Sequence, residues 1–142
     1  MKNVFSKTGI SAILLAMIIM PAFTSCKKDD KPTLRDEIVG DWKIQSFTVD
    51  GVELKGSLVL SSKMEFESYT GSNGDFEWSV NYVDGTSEIQ SGDYTIDVED
   101  AEVTLENESG ATIKFDVEIK GDKLELTGIL DGERYELEAD RD

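Results

Sequence analysis

The chain has 142 residues, with 30 Asp and Glu against 14 Lys and Arg, no histidine and one cysteine. A formal charge of −16 disfavours nucleic acid, whose phosphates are bound when Lys and Arg displace counterions, and it disfavours adsorption to an anionic membrane by charge alone. A Ser-His-Asp triad, a Cys-His pair and a zinc site built on imidazole are excluded by the same composition.

Residues 1–25 read as an export signal. Lys2 and Lys7 precede the apolar run 10–20, and Pro21 with the polar Thr24 and Ser25 ends it. That is a positive segment followed by an apolar segment of secretory length, well short of the about 20 apolar residues a membrane-spanning helix needs. Cleavage there leaves 117 residues, enough for one modest core and not two. Only Lys2 and Lys7 depart with the signal, so 12 basic residues remain against 30 acidic ones, a formal charge of −18.

Cys26 follows Thr24 and Ser25 and precedes Lys27, Lys28, Asp29 and Asp30. By itself it is either a free thiol near a cleavage site or a thiol that is acylated; as a lone cysteine it forms no intramolecular disulfide. Its setting resembles the lipobox of bacterial lipoproteins, in the looser form of the Bacteroidota, with Phe23 replacing the usual aliphatic residue. The resemblance implies a lipid anchor on Cys26 with more than one acyl chain, each buried methylene contributing about 0.8 kcal/mol. Lys28, Asp29 and Asp30 resemble the basic-then-acidic signal that directs such lipoproteins to the outer face of the outer membrane; the same residues also fit a solvated tether. Residues 26–37 then read as the lipidated cysteine and a polar linker, whose reach over eleven residues is at most roughly 40 Å.

Residues 38–142 read as one all-β domain. Residues 38–49 lead into Asp50-Gly51, a hairpin dipeptide, and then Val52 and Leu54. Leu58, Leu60, Met64 and Phe66 alternate with polar neighbours in a second strand, and Phe76, Trp78, Val80 and Tyr82 in a third. Shorter segments follow at 86–90, 94–98, 103–105, 113–119, 124–130 and 135–139, separated by Asp100, Ser109-Gly110, Gly121-Asp122 and Asp131-Gly132. About eight strands and no helix are expected. Alternation with charge on one face favours antiparallel pairing, and short loops favour neighbour-to-neighbour pairing. An up-and-down barrel is the simplest closed arrangement, with a β-sandwich as the alternative.

Gly40-Asp41-Trp42, opening the first strand, resembles the Gly-x-Trp signature of the lipocalins and the wider calycin group. The segment 38–43 and the later Gly92-Asp93-Tyr94 and Gly121-Asp122 stretches resemble lipocalin-like lipoproteins of the Bacteroidota. The resemblance implies a lipocalin-like barrel whose Trp42 packs across a closed end, beneath Arg134 or Arg141, a contact worth about 0.5–2 kcal/mol. It also implies an interior that holds a small apolar molecule. The inward set expected from alternation includes Val80, Ile96, Val117, Leu126 and Leu137 and carries no formal charge. Its candidate ligand contacts are Leu60, Met64, Phe66, Phe76, Trp78, Tyr82, Tyr94 and Phe115. The same side chains also fit a barrel filled by its own core.

Other chemistry is weakly signalled. Asp97, Glu99, Asp100 and Glu102 lack the spacing of a calcium loop, and the stretch 71–74 has neither the Lys-Ser/Thr pair nor the helix of a phosphate cradle. No metal or cofactor is expected. The expected protein is non-enzymatic and held at the outer membrane by its N-terminal lipid, with a barrel that binds or carries a small apolar molecule. The alternative is a surface module with a filled barrel that contacts a protein or glycan partner.

Overall fold

The computed structural model describes residues 32–142. The expectations for the export signal, Cys26, Lys28, Asp29 and Asp30 lie outside the described residues. A short helix, α1 (Leu34–Ile38), is followed by β1 (Gly40–Val49), β2 (Val52–Glu53), β3 (Val59–Phe66), β4 (Gly74–Tyr82), β5 (Ser87–Asp97), β6 (Glu102–Asn107), β7 (Thr112–Lys120), β8 (Lys123–Leu130) and β9 (Glu133–Arg141). From β3 onward each strand pairs antiparallel with the next, β1 pairs with β3, and β9 returns to β1 from Trp42↔Arg141 to Val49↔Tyr135. Eight strands therefore close on themselves, while two-residue β2 is a flap on the end of β1. Closure satisfies the backbone groups a sandwich would leave at its edges and overturns the sandwich alternative.

The turns follow local chemistry. Asp50 and Gly51 have φ of 50° and 80°, and Asp131 and Gly132 have 54° and 87°. Positive φ at both central residues matches the right-handed twist of the flanking strands, and Asp-Gly adopts it at low cost.

Period-two alternation then sends one row of side chains into the barrel. Trp42, Ile44, Met64, Phe66, Tyr94, Val103, Phe115, Leu124, Leu126 and Leu137 are buried along it. Full burial of each large apolar side chain contributes about 1.5–3 kcal/mol.

Three features depart from the alternation as read in the sequence. The first is Leu60, which was expected inside and is 64% exposed. The β3–β4 register shifts between Val59 and Ser61. The bulge places Val59 and Ser62 inside, in phase with Met64 and Phe66, and turns Leu60 outward.

The second is β5, which runs unbroken where two segments were expected, bringing Glu88 and Gln90 into the inward row opposite Val80 and Trp78. The inward row is therefore not free of charge. Gly92 sits at the join, where a Cβ would lie 2.0 Å from the Glu106 carbonyl oxygen. A glycine in a strand often marks such a close approach of backbones.

The third is α1, formed from the end of the segment expected to be a polar linker. The Thr33 N–H and hydroxyl donate to the Asp36 carboxylate at 3.0 and 2.8 Å, fixing the first turn. Its five residues are too few for a helix to stand alone, so its stability comes from what it packs on.

Candidate functional site

The barrel has a plugged end and an open end. At the plugged end Trp42 is fully buried and its indole N–H donates to the Ile38 carbonyl at 2.7 Å. The Arg141 guanidinium lies 4.2 Å from the Trp42 ring centroid and donates to the carbonyls of Val39 and Glu37 at 2.9 and 2.8 Å. Of the two arginines expected over Trp42, Arg141 is the one, and Arg134 pairs instead with Glu136 at 2.8 Å. The last carbonyls of a helix have no partner within it, and here side chains of β1 and β9 supply the partners. Gly40 makes room for this: its φ is 128°, and a Cβ would sit 2.8 Å from Arg141 Nη1.

A second aromatic cluster fills the same end. Arg35 of α1 lies 4.9 Å from the Tyr69 ring centroid; Tyr69 meets Tyr94 edge-on at 5.3 Å, and Tyr94 meets Phe66 at 5.0 Å. The Tyr94 hydroxyl donates to the Glu67 carbonyl at 2.5 Å. Burial first, and then the neighbouring Tyr69 and Asp75, pushes this hydroxyl up to about 12.

The open end is different. Phe47 and Val49 of β1, Leu54 and Leu58 of the flap loop, Val59, Trp78, Val80 and Tyr82 of β3 and β4, Ile113, Leu130 and Tyr135 enclose a pocket of about 330 Å³ with Glu88 and Gln90. That volume is at the lower end for small-molecule sites. The Phe47 ring stands between Trp78 and Tyr135, with centroid distances of 5.7 and 6.2 Å. Trp78 is oriented by its indole N–H donating to the Ser62 hydroxyl at 2.9 Å, which in turn donates to the Ser79 carbonyl at 3.0 Å. The flap is held by Glu53, whose carboxylate accepts from the Phe47 and Lys55 N–H groups at 2.9 Å each and from the Ser46 hydroxyl. Glu53 thus satisfies the backbone where the β1–β9 register shifts between Ile44 and Ser46.

Polar groups in the pocket form one small network. The Tyr82 hydroxyl donates to Glu88 Oε2 at 3.1 Å, and the Gln90 amide donates to Glu88 Oε1 at 2.8 Å. Burial, with the bond to Glu88 second, pushes the Tyr82 hydroxyl up, which keeps it a donor. Tyr135 is shifted the same way by burial and then by Glu133.

Of the residues singled out as ligand contacts, Trp78 and Tyr82 line this pocket. Met64, Phe66, Phe76, Tyr94 and Phe115 are buried in the core outside it, and Leu60 faces away from the interior. Sequence reasoning did not place Phe47, Val49, Leu54, Leu58, Val59, Ile113, Leu130 or Tyr135 among the contacts, and it missed the two polar wall residues, Glu88 and Gln90. Carrying the phase of Tyr94 and Ile96 back through Gly92 would have found them.

Among the described residues no group of three or more His, Cys, Asp or Glu is placed to hold a metal ion. Asp97 instead closes a turn, its Oδ1 accepting from the Glu99 and Asp100 N–H groups at 3.0 and 3.2 Å.

Comparison with solved structures finds a de novo designed fluorescence-activating β-barrel, with a TM-score of 0.58 and 17% identity, covering 79% of this chain and 100% of that one. A redesigned β-barrel matches with a TM-score of 0.58 and 16% identity, covering 76% and 94%. At these identities the likeness is one of fold. No curated protein matches. The lipocalin-like domain family matches residues 38–126, from the end of α1 through the strand that carries Gly40 and Trp42 and into β8. With that match over more than half of its length, the chain belongs to the lipocalin-like domain family.

Proposed function

We propose that this protein is a non-enzymatic lipoprotein of the Bacteroidota type, anchored in the outer membrane through acylated Cys26, whose barrel binds or carries a small apolar molecule. The observation that carries the binding reading is the apolar pocket of about 330 Å³ at one end of a barrel whose other end is filled. A core filled throughout would bury Trp78, Tyr82 and Tyr135 as fully as Trp42 and Tyr94, and it does not. The anchor reading rests on the sequence at Thr24, Ser25 and Cys26 and on an acidic domain whose charge repels anionic lipid. Outward Leu60 and Ile89, each 64% exposed, favour the second reading, a surface module that contacts a protein or glycan.

Native mass spectrometry of protein extracted gently from membranes tests both parts. The expected spectrum carries acyl mass on Cys26 and a non-covalent small molecule that is absent from Val49→Trp, a variant that fills the pocket from β1. An unmodified Cys26 overturns the anchor. A wild-type barrel that carries nothing and takes up no added n-octanol overturns the pocket.

A further inference from the structure

The open half of the barrel holds an excess of hydrogen-bond acceptors, and that excess bears on the kind of molecule it takes. Glu88 projects into the pocket from β5, on the same face as Val80. An ionised carboxylate offers about four acceptor sites, and Glu88 uses two, for Tyr82 and Gln90. The Tyr82 proton is consumed by Glu88, and the Tyr135 hydroxyl is directed to Glu133 at 3.5 Å. What remains without a partner is mostly acceptor, the free positions on the Glu88 carboxylate and the Gln90 amide oxygen, against a single leftover donor, the second Gln90 N–H.

Among the described residues no lysine or arginine lines the pocket. Near that end Lys55 donates to the Ile44 carbonyl at 2.8 Å, and Arg134 is paired with Glu136 at 2.8 Å. The turns around the opening add further negative charge: Asp84 lies close enough to act on Tyr82, and Asp131 and Asp50 on Tyr135. A carboxylate-headed ligand would meet like charge and unpaired acceptors there, a mismatch that costs more than a missing contact.

We infer that the pocket selects amphiphiles whose polar end is a cationic amine, an apolar chain lying between Phe47, Trp78 and Tyr135 and an ammonium donating to Glu88. This rests on the reading of the pocket as a ligand site and names the class of ligand. Three probes of equal chain length separate the two ideas: n-octylamine, n-octanol and n-octanoate, titrated at 150 mM NaCl, where long-range attraction to the acidic surface is screened beyond about 8 Å.

The chain has two tryptophans, so ¹H–¹⁵N spectra show two indole signals, one from Trp78 in the pocket wall and one from Trp42 at the plugged end. The expected result is that n-octylamine shifts the Trp78 signal, leaves that of Trp42 in place and binds about ten-fold or more tighter than n-octanoate. Glu88→Gln is expected to abolish that preference while n-octanol binding persists, and Glu77→Gln on the outer face to preserve it. If n-octanol binds but the amine and the carboxylate bind alike, the amine inference fails and the pocket stands. If Glu77→Gln erases the preference as well as Glu88→Gln does, overall charge is responsible and the inference is overturned. If none of the three probes moves Trp78, the pocket reading itself falls.

Discussion

The plugged and open halves of the barrel are built from the same eight strands, with opposite use of the inward positions. At the plugged end α1 lies across the opening, Trp42 is fully buried, and its cover, Arg141, is tied to two backbone carbonyls. At the open end Phe47, Trp78 and Tyr135 are equally large, yet they stand around a space, and an ionisable side chain shares it. The contrast shows that aromatic content does not decide whether a small barrel is a core or a container. What decides is whether something crosses the end and whether the polar atoms there are all satisfied. Stability is concentrated where they are, and binding capacity where they are not.

The largest expected break in that contrast is Trp42→Ala. It removes the plug and the donor to the Ile38 carbonyl, and should cost about 3–5 kcal/mol in urea unfolding followed by circular dichroism. A matched pair of truncations sharpens the comparison. Ile44→Ala empties space in the packed half and should cost about 2–5 kcal/mol, whereas Ile113→Ala only widens an existing pocket and should cost roughly 1 kcal/mol. Equal losses in the two would mean that the halves are packed alike. The last effect appears only at alkaline pH. Tyr94 ionises near the ordinary value of about 10 when unfolded and at about 12 when folded. The unfolded chain therefore loses its proton first, and stability should fall as pH rises from about 10 to 12. Tyr94→Phe should make that slope shallower, leaving the part that the raised Tyr82 and Tyr135 hydroxyls contribute, measured as the urea midpoint against pH.

Much of this was legible from local chemistry. Asp50-Gly51 and Asp131-Gly132 mark hairpins because few other dipeptides accept positive φ twice, and Gly40 with Trp42 marks the plugged end. Leu60 misled because a bulge is a property of strand pairing, and nothing in the run from Leu58 to Phe66 announces it. Glu88 and Gln90 were missed because Gly92, with no side chain, broke a pattern that the backbone carries straight through. The helix α1 was missed because its carbonyls are satisfied by Trp42 and by Arg141, far along the chain. A five-residue segment shows no such support in its own sequence.

Pro32 leads directly into α1, and the last residue closes on the same end, the Asp142 N–H donating to the Asp41 carbonyl at 2.9 Å. In mechanical terms, a load entering at Pro32 reaches the barrel through α1, whose last carbonyls are tied to Trp42 and Arg141. Such a load meets the bonds to the Glu37, Ile38 and Val39 carbonyls before it reaches any strand of the opening. The joint at one end thus acts as a strain relief for the pocket at the other.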